Sequence, residues 1–227
     1  MAKLRSIVGP IFRSLPQWSR REIRARRLEW LVRHNKFTSD EYEFSRLGDW
    51  LVEGDVAIDI GANFGSYTLQ MSQLVGTRGR VFAFEPVPQT FAILVRLLAV
   101  RGCRNVTPLN LACSDRNSVI HMSIPDDPLT GENLYQSFVA DPSKEGVSAC
   151  CIRLDDIALP VEKLKLVKID TEGHEALVIS GMWNMLCRTR PIIIAEHVPS
   201  NASQKIEALG YRRFRHDKSP NAVFLPS

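Results

Sequence analysis

The sequence predicts an α/β fold, with a mostly parallel central sheet and helices on both faces. Three observations carry this. Strand-like runs alternate with helix-like segments of roughly 10–15 residues, the rhythm of crossover units. The runs "VAIDIG", "RVFAF", "KLKLVKID" and "RPIIIAEH" are apolar along most of their length, as strands covered on both faces must be. These runs, with "NVTPLNLACS", reach Asp59-Ile60-Gly61, Glu85-Pro86, Asn110-Leu111-Ala112, Asp170 and Glu196-His197. Polar groups thus gather at the carboxyl edge of the sheet, where open α/β folds bind ligands.

The chain of 227 residues has room for one domain with a real core, or one domain plus an appendage. Charge divides it. Residues 1–36 hold ten Lys or Arg and two Glu, a net of +8; residues 37–227 hold 19 and 23, a net of −4. The basic character therefore belongs to a helical extension, residues 1–38, and the main unit, 39–227, is mildly acidic. A body built to hold nucleic acid is not supported. In "WSRREIRARRLEWLVRHN", Ile23, Leu28, Leu31 and Val32 recur at helical spacing among Arg. That suits a helix packed on the domain, or one lying on an anionic membrane or partner. No apolar run approaches the ~18–20 residues that span a bilayer, and the N-terminus lacks a secretory h-region.

The elements follow in order. "EYEFSRLGDWLVEGD" reads as a helix ending at Gly54, "VAIDIG" as a strand, "SYTLQMSQLVG" as a helix ending at Gly76, and "RVFAFEP" as a strand stopped by Pro86. "PQTFAILVRLLAVRG" is a helix closed by Gly102, and "NVTPLNLACS" a third strand with an awkward Pro108. "SVIHMSI" and "VSACCIRL" are strands around the polar insertion 123–146, where Tyr135 and Phe138 are candidates to face a ligand. Asp155 and Asp156 in "LDD" read as the cap of the short "DIALP" segment. "HEALVISGMW" is a helix between two strands, and the end reads as helix, strand, turn, strand. The five cysteines include an adjacent pair and form no C-x-x-C. They read as buried, reduced thiols of a cytoplasmic protein, in neither a disulfide framework nor a zinc site.

The turn after the first strand carries the chemistry. "DIGANFG" is not G-x-G-x-x-G: Asn63 stands near the second glycine, and Asp59 would repel a pyrophosphate. The same carboxylate suits a cationic ligand. S-adenosylmethionine carries an ammonium and a sulfonium and no phosphate, and its carboxylate can rest on the helix N-terminus after Gly65. Glu85, 24 residues after Gly61, is placed to accept both ribose hydroxyls. Glu43 is a weaker candidate for the methionine end. A nicotinamide oxidoreductase is disfavoured by Asp59 and Asn63.

Together, "DIGANFGSYTL", "VFAFEPVPQTF", "NLACSD", "LDD" and "VKIDTEGHEALVISG…RPIIIAEH" resemble the FkbM family of S-adenosylmethionine-dependent methyltransferases, from about Glu41 to about His197. The resemblance implies a class I methyltransferase Rossmann-like fold and methylation of oxygen, on a sugar, polyketide or other small-molecule hydroxyl. It would place the cofactor on Asp59, Gly61, Asn63, Gly65, Tyr67, Glu85 and the Asn110–Ala112 turn. Residues 1–36 lie outside it.

A hydroxyl is a poor nucleophile, so a base or a metal must take its proton. In "DTEGHE", Asp170 ends a strand, and Glu172, His174 and Glu175 open the next helix. A helix N-terminus disfavours imidazolium, so His174 should be neutral and able to accept a proton. Glu172 is the other candidate base. Asp170, Glu196 and His197 could also meet around Mg²⁺ or Mn²⁺, but no spacing fixes that geometry and no metal is assigned. Two rival readings stay open: a nucleic-acid methyltransferase using the basic arm, and a cofactor-binding or interaction protein without turnover. The acceptor and the oligomeric state are not encoded in any motif.

Overall fold

A computed structural model describes residues 12, 14–127, 131–133, 137–140, 146–217 and 219–227. Tyr135 lies outside the described residues. The elements, in order, are α1 (Gln17–Arg33), α2 (Tyr42–Trp50), β1 (Val56–Ile60), α3 (Ser66–Val75), β2 (Arg80–Phe84), α4 (Pro88–Arg101) and β3 (Val106–Leu109). Then come β4 (Ala112–Cys113), β5 (Ser118–Ser123), β6 (Asp126–Asp127), β7 (Gly131–Glu132), β8 (Phe138–Val139) and β9 (Val147–Ile152). The last part holds β10 (Leu164–Ile169), α5 (Glu175–Gly181), α6 (Trp183–Thr189), β11 (Ile192–Glu196), α7 (Ser200–Ala208), β12 (Tyr211–Arg215) and β13 (Asn221–Pro226).

Seven strands form the central sheet in the order β12-β13-β11-β10-β1-β2-β3. The five from β3 to β11 are parallel; β13 runs antiparallel to β11, and β12, antiparallel to β13, closes the far edge. Strand order reverses between β1 and β10, so their carboxyl ends form the switch point.

Side-chain parity decides what each end points at. Ile58 and Ile60 of β1, with Val167 and Ile169 of β10, pack with α5, α6 and α7. Ala57 and Leu166 pack on the other face with α2 and α3. Asp59 shares parity with Ala57, and Lys168 with Leu166, so both project toward α3. They are direct cross-strand partners.

Glycines close α3 and α4 where the sequence puts them: both have positive φ, 62° at Gly76 and 75° at Gly102, and Gly102 is the left-handed cap common at helix termini. Pro108 is tolerated because β3 is the sheet edge and pairs only with β2, so its missing N–H faces no partner.

Four readings are corrected. Helix α2 ends at Trp50, not Gly54, because Leu51 turns extended and Asp55 Oδ2 accepts the Val52 N–H at 2.9 Å. "NVTPLNLACS" is not one strand: the chain leaves β3 after Leu109, and Ala112–Cys113 joins a second sheet, β4-β9-β5-β8. In that sheet β5 and β9 pair antiparallel around the insertion. Asp155 does not cap "DIALP". It accepts the N–H groups of Asn184 and Met185 at 2.9 and 2.8 Å and so caps α6 across the fold. The five cysteines are unpaired, but Cys150 and Cys187 are exposed rather than buried.

Gly61 sets the tightest constraint. A Cβ there would lie 1.7 Å from the Asp170 carbonyl oxygen, at φ 77°. Gly102 has a similar φ and nothing within 4 Å of the added atom. Gly61→Ala should therefore lower unfolding free energy by at least ~3 kcal/mol, or abolish folding, whereas Gly102→Ala should cost about 1 kcal/mol. Denaturant titration of both variants checks this, and similar losses at the two sites would refute the close approach.

Candidate active site

A cavity of about 390 Å³ opens at the carboxyl ends of β1, β2 and β10, a volume typical of small-molecule sites. Asp59, Gly61, Asn63, Tyr67, Glu85, Ala112, Asp170, Glu172 and His174 line it. Gly65 and Asn110 stand behind the wall. Gly65 starts α3 at φ 91°. A Cβ there would meet Leu94 Cδ1 at 2.4 Å. Asn110 Nδ2 donates to the Glu85 and Pro86 carbonyls at 2.8 and 3.0 Å, bracing the β2 terminus.

Glu85 is buried and held by backbone. Its Oε2 accepts the Asn63 N–H and its Oε1 the Val87 N–H, both at 2.9 Å. A carboxylate has about four acceptor sites, so each oxygen keeps capacity for a donor from the cavity. Burial pushes Glu85 up to about 7. Asp59 is also buried, accepts the Thr68 hydroxyl, and is pushed up to about 6 by burial, against the pull of Thr68 and Lys168. Both acids sit where a ligand supplying donors or positive charge would favour their ionised forms.

Lys168, Glu41 and Ser114 belong to the site and were not singled out from the sequence. Lys168 is 1% exposed, donates to Asp170 Oδ2 at 3.0 Å and lies 5.0 Å from the Tyr67 ring centroid. Burial pulls its pKa down, but Asp170, Glu41 and Asp59 outweigh that and the net direction is up. The available signal was a charge flanked by Val167 and Ile169 in a strand buried on both faces. Glu41, rather than Glu43, lines the cavity, and its Oε2 accepts the Tyr67 hydroxyl at 2.5 Å. Glu43 falls inside the first turn of α2, fully buried, and bonds Ser219 at 2.7 Å.

The "DTEGHE" turn is built by its last residue. Buried Glu175 accepts the Thr171 N–H at 3.0 Å, the Thr171 hydroxyl at 3.1 Å and the Gly173 N–H at 3.2 Å. This holds Glu172 at φ 50°. Asn63 and His197 are also non-glycine residues with positive φ, so the turns after β1, β10 and β11 each carry one. Such conformations cost about 1–3 kcal/mol and cluster at functional sites. Glu172 is raised by burial, then by Asp170 and Glu196. His174, half-buried, is lowered by burial against Glu175 and Asp115. It is therefore neutral near pH 7, and its Nε2 lies 2.8 Å from the Ser114 hydroxyl. Asp170 is engaged by Lys168, and His197 Nδ1 meets Glu196 at 3.2 Å. Among the described residues no three His, Cys, Asp or Glu are grouped to hold a metal ion.

The raised Asp59 pKa has a signed consequence. The native state keeps the proton up to about pH 6, while the unfolded chain releases it near the ordinary value of 3.8. Between these pH values the native state binds more protons, so Asp59 erodes stability as pH rises. Asp59→Asn removes this step. Its melting temperature relative to wild type should climb from about pH 4 to pH 6 and then level off. A difference independent of pH in thermal melts would overturn the assignment.

Residues 59–214 match the Methyltransferase FkbM domain family. The hexuronic acid methyltransferase AglP of Haloferax volcanii is 32% identical over 148 residues, which are 64% of this chain and 57% of that protein. The 31-O-demethyl-FK506 methyltransferase FkbM of Streptomyces tacrolimicus is 28% identical over 73% of this chain and 74% of its own length. The crystal structure of methyltransferase FkbM from Methylobacillus flagellatus superposes with a TM-score of 0.55 at 14% identity, covering 75% of this chain and 43% of that one. The chain thus spans little more than half of AglP and less than half of the crystallised protein. The family match covers most of the chain, and the strand-end acids, the reversed strand order and the "DTEGHE" turn all fall within it: the chain belongs to the FkbM methyltransferase family.

Proposed function

We propose that the chain transfers a methyl group from S-adenosylmethionine to a hydroxyl oxygen of a small-molecule or glycan-type acceptor. The observation that carries this is the pairing of Asp59 and Glu85. Two buried carboxylates with raised pKa values face one cavity at the switch point, and that cavity offers no phosphate-binding glycine turn. The donor set fits the cofactor. Glu85 keeps acceptor capacity for ribose hydroxyls, and Asp59, Glu41 and Asp170 against the single Lys168 leave the opposite end negative. Bound there, S-adenosylmethionine supplies an electrophilic methyl carbon.

The remaining work is done by the chain. Positioning the acceptor oxygen is the main requirement. His174, neutral and facing the cavity, can take the hydroxyl proton, and Glu172, with its raised pKa, is the second base. Asp170, held by Lys168, lines the same cavity. A smaller cavity of about 260 Å³ shares Phe37, Thr38 and Ser66 with the first and adds Val32, Leu69, Asn35, Gln70, Gln73 and Arg101. Amides and a guanidinium suit a hydroxyl-rich acceptor. The two relatives, a hexuronic acid methyltransferase and a 31-O-demethyl-FK506 methyltransferase, support oxygen as the target. Five unpaired thiols agree with a reducing, cytoplasmic setting.

Calorimetry against S-adenosylmethionine and NAD tests the reading. The former should bind, more tightly as pH rises through about 6 and 7 while Asp59 and Glu85 ionise. Asp59→Ala and Glu85→Ala should each weaken binding by about tenfold or more, the scale of one lost charged hydrogen bond. With acceptors screened by radiolabelled methyl transfer, Glu172→Gln or His174→Ala should cut turnover by roughly 10²–10⁴-fold with cofactor affinity nearly unchanged. Binding of NAD alone sinks the proposal, and full activity in both variants removes these bases.

A further inference from the structure

Helix α1 has two apolar faces, and the domain covers only one. Ala25, Leu28 and Val32 are buried in the cluster that contains Leu94, Leu97 and Leu98 of α4. Ile23 and Trp30, seven residues apart and so on one stripe two turns apart, point the other way. They are 46% and 49% exposed. The charges are sorted the same way. Both acids of α1 pair with Arg96 of α4, and Glu22 also pairs with Arg26 at 2.7 Å on the outer side. Every exposed charged residue from Gln17 to Lys36 is a cation: Arg26, Arg27, Arg33 and Lys36. Lys36 Nζ lies 5.1 Å from the Trp30 ring centroid, and His34 stacks on that ring at 4.4 Å.

We infer that the outer face of α1 docks on an anionic lipid bilayer. An outward face that carries Ile23 and Trp30 among Arg26, Arg27 and Arg33 suits an interface in which the two apolar side chains enter the acyl boundary and the cations meet headgroup phosphates. Trp belongs at the headgroup level, where its ring is buried and its N–H is wet. Nucleic acid would use the cations but gains nothing from Ile23. The consequence is positional. Phe37, Thr38 and Ser39 follow α1 directly and line the cavity, so docking holds that wall beside the membrane. The inference stands apart from the methyl-transfer reading, since neither Ile23 nor Trp30 touches the cavity.

Flotation of the full chain with vesicles of equimolar phosphatidylcholine and phosphatidylglycerol tests it. The protein should float with these vesicles, stay behind with phosphatidylcholine alone, and be released by added salt. Ile23→Ser and Trp30→Ser should each abolish flotation while thermal melts and S-adenosylmethionine calorimetry stay at wild-type values. Arg27→Gln and Arg33→Gln should each lower partitioning about fivefold, the effect of one surface cation. Absence of flotation overturns the inference. So does flotation indifferent to Ile23→Ser and Trp30→Ser, and so does salt-sensitive RNA binding abolished by those substitutions.

Discussion

The contact between Gly61 and the Asp170 carbonyl is the constraint on which the site depends. It forces the ends of β1 and β10 to within backbone touching distance at the one place where strand order reverses. The Asp170 N–H completes the junction by donating to the Ile60 carbonyl at 2.9 Å. The turn after β1 can then bend back over β2, where Gly61 and Ala62 both donate to the Phe84 carbonyl. That bend presents the Asn63 N–H to Glu85, and so one close approach sets the positions of three acids on three strands. A side chain at Gly61 would separate the strands and dismantle the constellation at once.

Electrostatics then works against the fold and for the ligand. Burying Asp59 and Glu85 favours their neutral forms, a cost the apo protein carries at neutral pH. Lys168 limits that cost without cancelling it. It sits directly across from Asp59 in the strand register, is bonded to Asp170, and lies beside the Tyr67 ring. Removing the acids would relieve the sheet; removing Lys168 would leave Asp59, Asp170 and Glu41 facing one another unscreened. The site is thus destabilised in the direction that a cationic, hydroxyl-bearing ligand repairs, as expected of a preorganised binding site.

Much of this was legible in the sequence, and the limits were physical. Asp59, Glu85 and Asp170 stood out because an acid closing an apolar run is anomalous by composition alone. Gly76 and Gly102 were readable because a helix terminus asks for positive φ. What could not be read was parity and reach. Glu41 and Glu43 differ only in whether they precede or enter α2, and two residues decide which one meets the cavity. Lys168 was overlooked because parity alone aims it at Tyr67. Asp155 caps a helix 29 residues away, a partner that no local pattern names. Pro108 looked disruptive until the sheet order showed β3 at its edge.

Glu175 shows how a short motif divides its labour. Its carboxylate ties down two N–H groups and a hydroxyl of the same turn, which makes it the scaffold and leaves the Glu172 and His174 side chains on the cavity wall. The bound turn also explains the strained Glu172: the residue is held with positive φ because Glu175 fixes the backbone on both sides of it. The strain, in turn, sets where the Glu172 side chain leaves the turn, on the cavity wall with Asp170 and His174. A residue that touches no ligand therefore determines the geometry of those that would, and the spacing of D-x-E-G-H-E is the spacing needed to close that loop on itself.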